Sequence, residues 1–395
     1  MNALKTRIGI LSLSSITLSG IFIVPIIGLV AQAFPGSSLS GVQMIVSAST
    51  LTALVGAWLT GRLAMLLSRR TVALIGAGGI LVFGLLPYFV HSSLAAVVAF
   101  SALMGVCLGF INNILPTLIS VHYQGEARQS LMGQQVAVAS IGAMVFMSVA
   151  GKLATAQWYH AYLVYLFAAV VLVVCAFTLP RENGEKDEAT QEQGSGPSVS
   201  INEAMNGKLW FLVVAGFFFL LANNAYSNNL SLLVEQRGLG DAGTAGLVST
   251  IGQLGGLLAG LLVGVMVRFV RNHLLMVGFL VEGLSLLMQG FSNNLPLLIV
   301  GSFLAGAGLS LYYAQAPFLV TVIEKPYLIP LGIAAMTTAN ALGGFASPVV
   351  VNLVNGFFGS SAAGAMFIGA AIALAGAVAL GVTGFQRKCL ESAAE

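Results

Sequence analysis

Charge is almost absent from this chain. Asp, Glu, Lys and Arg make up 7% of its 395 residues, against about 25% in a typical soluble domain. A water-soluble chain of this length has too much surface to cover with so few charges. Its mean hydropathy of +0.95 and its 57% hydrophobic residues point the same way. The chain therefore reads as an all-α polytopic membrane protein, since each helix satisfies its own backbone groups in lipid.

A span needs about 20 mostly apolar residues. Twelve segments meet that length, at roughly 8–33, 40–64, 71–90, 94–118, 130–151, 160–179, 208–234, 242–267, 273–291, 295–321, 328–354 and 359–384. The 47 glycines do not argue against helices, because glycine is commoner in membrane helices than in soluble ones. With both termini placed in the cytoplasm, fourteen of the sixteen Lys and Arg residues fall on the inner side, and Lys152 and Arg237 on the outer. The positive-inside rule selects that orientation, in a plasma membrane of bacterial inner-membrane type. Lys5 and Arg7 before a long apolar run imitate a signal peptide. The run lacks a small-residue cleavage pattern and reads as a retained first span.

The longest hydrophilic stretch, 181–207, is rich in Glu, Gly, Ser and Gln and reads as a cytoplasmic linker. It divides the chain into six-span halves, 1–180 and 208–395. The halves echo each other. LMGVCLGFINNILPTL carries Gly105 and Pro116, and FLAGAGLSLYYAQAPFLV carries Gly306 and Pro317, an offset of 201 in both cases. Internal repeats of this kind are common in secondary transporters.

Residues 61–70 read GRLAMLLSRR and stand between the second and third spans, and GVMVRFVRNHLLMV occupies the equivalent place after span 8. Twelve spans, a central loop and this 2–3 loop resemble the major facilitator superfamily. Its signature there is approximately G-x-L-a-D-R-x-G-R-R. Gly61, Leu63, Ala64, Arg69 and Arg70 match, whereas Met65, Leu66 and Ser68 replace the usual Asp, Arg and Gly. The resemblance implies a gating role for Gly61, Arg62, Arg69 and Arg70. It also implies an acidic lock between halves that Met65 cannot supply.

The resemblance further implies that spans 1, 4, 7 and 10 border a central cavity, helped by 2, 5, 8 and 11. Polar groups in lipid need partners or a wet cavity. The candidate solute-binding residues are Asn112 and Asn113 in span 4, and Asn223, Asn224, Tyr226 and Asn228 in span 7. Tyr312, Tyr313 and Gln315 in span 10 and Asn340 in span 11 join them. Asn229, Gln134, Gln135 and Gln253 are further polar groups in these spans. For each asparagine, interhelical hydrogen bonding is the competing reading. Pro25, Pro116 and Pro317 lie within spans, where each removes a helical hydrogen bond and can bend its helix.

Glu282 is the one acidic residue deep in a span. An ionised carboxylate is costly there, so Glu282 is the candidate proton-coupling residue. Its place in span 9, peripheral in the family pattern, favours a neutral group bonded to Ser285 or a neighbouring helix.

No catalytic or metal constellation is visible. His91, His122, His160 and His273 form no metal-ligand spacing, and Cys107, Cys175 and Cys389 form no framework. GQLGGLLAG at 252–260 lacks the Lys-Ser/Thr of a nucleotide loop. The region corresponding to the antiporter motif of span 5, QQVAVASIGAMVFMS, lacks its proline, and the family's span 4 arginine is absent. No arginine stands mid-span to receive a strongly anionic cargo. These features predict a secondary transporter, not an enzyme, moving a small neutral, zwitterionic or amphipathic solute by alternating access, with export preferred. Import of a sugar, nucleoside or amino acid is the alternative, and a channel or scaffold the alternative of another class. The expected partners are the solute, lipid, and protons or a counter-substrate. No cofactor, nucleic acid or second copy is expected.

Overall fold

The computed structural model describes residues 3–180, 206–270, 272–325 and 328–391. The linker read at 181–207 lies outside the described residues up to 205. The described residues are helical with short turns between. The helices are α1 (Ala3–Ser14), α2 (Ile27–Ala33), α3 (Leu39–Leu66), α4 (Arg69–Phe89), α5 (Leu94–His122), α6 (Gly125–Ala154) and α7 (Phe167–Thr178). After the linker come α8 (Gly207–Gln236), α9 (Ala242–Val270), α10 (Leu274–Gly290), α11 (Leu295–Ile323), α12 (Ile329–Gly356), α13 (Ala362–Thr383) and α14 (Phe385–Glu391). Among the described residues eleven segments are long and apolar enough to cross a membrane, and α10, at 17 residues, is a shorter apolar helix. The chain is an all-α, multi-pass membrane protein.

The boundaries follow local chemistry. Ser38, Ser68, Asn206, Asn294 and Ser361 cap α3, α4, α8, α11 and α13, each accepting from a backbone N–H three residues on. Asp241 does the same for α9 through Thr244 N, at 2.9 Å. That hydrogen bond holds the Asp241 carboxyl below the usual carboxylate range. Gly384, at φ 56°, takes the left-handed conformation that ends α13 and starts α14.

The first span departs from a plain helix. Between α1 and α2 the backbone bonds run i to i−3, from Ser15 N to Ser12 O through Ile26 N to Ile23 O. Two short 3-10 helices, Ser19–Ile21 and Val24–Ile26, lie in this tract. Its Ser and Thr hydroxyls bond back to nearby carbonyls: Ser14 to Ile10 O, Ser15 to Ser12 O and Thr17 to Ser14 O. Such back-bonding competes with the α ladder, and Pro25 removes a donor from it. By contrast, Pro116 and Pro317 sit inside continuous helices. The sixth span also starts as a 3-10 helix, Trp158–Leu166, before α7.

The chain forms two compact units, Met1–Ser195 with Asp241–Thr250, and Gly196–Gly240 with Ile251–Glu395. In the first unit α3 packs on α5, α4 on α5, and α1 on α7. The start of α9 joins it through Ser148 and Thr250, whose hydroxyls are 2.6 Å apart. The Tyr165 hydroxyl donates to Ser19 O at 2.8 Å, giving the 3-10 tract an outside partner. In the second unit α10 packs on α11 and α13, and α8 on α12 and α13. Its core gathers Phe219, Phe279 and Tyr312, with Tyr312 stacked on Phe219 at 4.3 Å.

The glycine pair of the internal repeat does equivalent work in each unit. A Cβ on Gly105 would strike the Ser49 carbonyl of α3, and one on Gly306 the Gly252 carbonyl of α9. Both positions let a following helix lie directly on an earlier one.

Candidate functional site

The gate stretch closes α3 and opens α4. Arg70 donates through Nη2 to the Ala176 carbonyl in the last turn of α7. A cation at a helix C-terminus answers the exposed carbonyls and the negative end of the dipole. Gly61, Arg62 and Met65 belong to α3, but their side chains lie outside the described residues. Arg69, the first residue of α4, has a partner of its own.

The polar residues of the spans divide by exposure. Asn112 and Asn113 on α5 are exposed, and Asn113 Nδ2 donates to Ala57 O of α3 at 2.8 Å. Thr117, one turn on from Asn113, is half-buried, and its hydroxyl donates to Asn113 O. On α8, Asn224 is half-buried and its Nδ2 donates to Leu220 O at 2.9 Å. On α11, Tyr313 is 48% exposed. These uncharged amides, a hydroxyl and a phenol are the groups each unit can offer to a solute.

The rest are buried. Asn223 Nδ2 donates to Glu282 Oε1 at 3.0 Å, tying α8 to α10. Tyr312 donates to Asn340 Oδ1 at 2.6 Å, tying α11 to α12. Gly216 of α8 makes room for that bond, because a Cβ there would lie 2.6 Å from Asn340 Oδ1. Tyr226, Asn228, Asn229 and Gln315 are buried as well, and Asn229 Nδ2 bonds back to Ala225 O at 3.0 Å. Asn224 and Asn228, four residues apart on α8, therefore sit in different surroundings. Gln134 accepts from Arg7 Nη2 at 2.7 Å and joins α6 to α1, while Gln135 and Gln253 are half-buried. Ser285 bonds to the backbone carbonyl of Glu282, not to its carboxyl.

Three polar residues with structural roles, two of them buried, were not singled out in the sequence. Glu324, the C-cap of α11, is 7% exposed and accepts from Asn206 Nδ2 at 2.6 Å. Asn206 also caps α8 through its Oδ1, so one side chain fastens two helix ends. Burial pushes the Glu324 carboxyl above its ordinary value, opposed by the hydrogen bond from Asn206. Gln289, on α10, is fully buried. Position just outside a span was the signal for Glu324 and Asn206, and a seven-residue spacing from Glu282 was the signal for Gln289.

Two of the histidines, His91 and His160, serve packing. His91 stacks on Tyr159 at 4.0 Å beside Trp158, within an aromatic cluster that also takes in Tyr88 and His160. Such clusters suit the membrane–water boundary. Among the described residues no group of three His, Cys, Asp or Glu could hold a metal ion.

The sequence model described as Major Facilitator Superfamily matches residues 9–268 and 212–389. No curated protein matches the chain in sequence. Among solved structures, a mutant of the nucleoside transporter NupG is similar over 96% of this chain and 99% of its own, with a TM-score of 0.77 and 13% identity. That likeness is one of fold.

Proposed function

The chain belongs to the Major Facilitator Superfamily, a family of transporters and not of enzymes, and we propose that its cargo is a small neutral, zwitterionic or amphipathic organic solute, moved by alternating access. One observation carries this reading. Of the candidate solute-binding residues, the four left exposed or half-buried, Asn112, Asn113, Asn224 and Tyr313, are all uncharged. Amides and phenols pair with hydroxyl, amide and aromatic groups, and they leave a strongly anionic cargo without a cationic partner. Asn223, Tyr226, Asn228, Tyr312, Gln315 and Asn340 then serve the site from behind, by fixing the helices that carry it.

We further propose twelve spans in two halves, 1–180 and 208–395, joined by the 181–207 linker. The 17 residues of α10 are enough for the twelfth span. Both termini are placed in the cytoplasm of a bacterial-type inner membrane by the Lys and Arg bias. The chain works as a monomer. Protons or a counter-substrate drive it. Arg69, Arg70, Gly61 and Arg62 form the inner gate, with the Arg70 cap on α7 as its anchored part.

Export is the direction we propose, because the cavity spans are largely apolar and carry no dedicated charge. Import of a nucleoside, sugar or amino acid is the second reading, and the fold shared with the nucleoside transporter NupG favours it. The test is thermal stabilisation of the purified protein against nucleosides, sugars, amino acids and amphipathic drugs, followed by counterflow of each hit in liposomes. Saturable counterflow, weakened by Asn224→Ala or Tyr313→Phe, is expected. Flux that neither saturates nor counter-exchanges would mean a channel.

A further inference from the structure

The second unit holds a polar seam that the proposed solute site does not use. Glu282, Ser285 and Gln289 recur on α10 at the three- and four-residue steps of one helix face, and all three are fully buried. The opposite helix, α11, has been cleared of side chains to receive them. A Cβ on Gly308 would lie 3.0 Å from Glu282 Oε2, and one on Gly301 would lie 2.6 Å from Gln289 Cγ. Gly301, Ala305 and Gly308 thus form the wall against which the polar side chains lie. α8 contributes Asn223, whose amide donates to Glu282 Oε1.

Among the described residues the carboxyl has no countercharge. Glu282 Oε2 is buried without a hydrogen-bond partner among the described residues. Of the helices packed on α10, α11 and α13 carry no Lys, Arg or His at all. The titratable groups they present are Tyr312 and Tyr313 on α11, and none on α13. α14, whose Gln386 Oε1 accepts from Leu275 N at the start of α10, carries Arg387, Lys388, Cys389 and Glu391, and Leu275 precedes Glu282 by seven residues, about 10 Å of helix. On α8 the groups are Tyr226 near the seam and Lys208 and Glu235 near the helix ends. Lys208 precedes Asn223 by fifteen residues, about 22 Å of helix. On α10's own side, His273 precedes Glu282 by nine residues, about 13 Å. A carboxylate buried without a cation within reach is strongly disfavoured. A neutral carboxylic acid is not, since its carbonyl oxygen accepts from Asn223 and its hydroxyl fills the slot at Gly308.

We propose that Glu282 is a proton-binding site in the resting protein, held neutral within the α8–α10–α11 seam and separate from the solute-facing residues. Loss of the proton leaves a charge that the closed seam cannot hold, so release requires α10 and α11 to part or to admit water. This makes span 9, on the outside of the family pattern, a proton-carrying element. The site itself stands whatever the cargo. Its role as the driving partner rests on the transport reading above.

Infrared difference spectroscopy of the purified protein tests the site with no solute present. At neutral pH the parent is expected to show a protonated-carboxyl C=O band that shifts in D2O. Glu282→Gln removes the band, and Glu324→Gln, as a control at the other buried carboxyl, leaves it in place. Should Glu282→Gln fail to fold, Asn223→Leu supplies the second reading. It deletes the donor to the carbonyl oxygen and is expected to move the band to higher frequency. A parent without the band, or a band unchanged by both Glu282→Gln and Asn223→Leu, overturns the proposal. So does a band present in choline buffer and lost in sodium buffer at the same pH, which would make the occupant a monovalent cation.

Discussion

The hydrogen bond from Tyr312 to Asn340 separates residues that hold the helices from residues that meet the solute. The bond is 2.6 Å long, between groups 0% and 6% exposed. Tyr312→Phe deletes the donor and strands a buried acceptor, a penalty of about 1–3 kcal/mol in water-soluble proteins. Membrane proteins return less, about 0.6 kcal/mol on average and up to about 1.7, because the unfolded helices also find partners. The short distance and complete burial place this pair toward the upper value, about 1.5 kcal/mol, or roughly a tenfold change in the folding equilibrium. Asn340→Ala is expected to cost a similar amount, and the double variant to cost less than the sum, with a coupling of about 1 kcal/mol. Gly216→Ala reaches the same bond from α8 by crowding Asn340 Oδ1. The assay is reversible unfolding in mixed detergent–lipid micelles, followed by counterflow with the stabilising solute found for the parent. Coupling near zero would refute the energetic argument. A stable Tyr312→Phe protein that has lost solute affinity would refute the division into buried and solute-facing sets.

Asn224→Ala and Tyr313→Phe are expected to leave stability within about 0.5 kcal/mol while each weakens solute binding about 3–10-fold, the worth of one neutral hydrogen bond. Equilibrium binding to the purified variants measures both. Glu324 binds its proton more tightly folded than unfolded, so its contribution is full below the ordinary carboxylate value of about 4.3 and declines as pH rises through the raised value. Glu324→Gln should flatten that part of the stability–pH curve, followed by thermal unfolding across pH. Asp241 has the opposite sign: its stabilisation is present above the unfolded value and lost as pH falls through the depressed one. Asp241→Ala removes the α9 cap at a cost of about 1 kcal/mol and should abolish the acid-side slope. Arg70→Ala, which uncaps α7, should destabilise by about 0.3–1 kcal/mol, and Arg70→Lys should recover part of that loss in the same unfolding assay.

Much of the fold was legible because hydropathy reports spans directly. The segment read at 242–267 is the helix Ala242–Val270, and the one read at 295–321 is Leu295–Ile323. Segment 8–33 was legible as a span but not as a broken one. Its serines and threonine announce back-bonding only once their carbonyl partners are seen. The repeat of Gly105 and Gly306 was visible as spacing, and the helix contact each permits came from the structure. The polar site was harder to read. Asn223 and Asn224 are adjacent and chemically identical, yet a turn of about 100° per residue puts one on Glu282 and the other at a half-buried surface. Sequence marks the presence of an amide in a span, while the helix's rotation about its axis decides whether lipid, solute or another side chain receives it.

The winding of the first span has a further consequence for its length. Seven residues between Ser15 and Ile26 donate to the carbonyl three positions back. At about 2.0 Å per residue, against about 1.5 Å in an α-helix, those seven reach about 3.5 Å farther than the same residues would as α-helix. The difference is more than half an α-helical turn in pitch, and it arises without inserting a residue. The tract is thus a reserve of reach written into backbone bonding: the same residues wound as α-helix would make a shorter span.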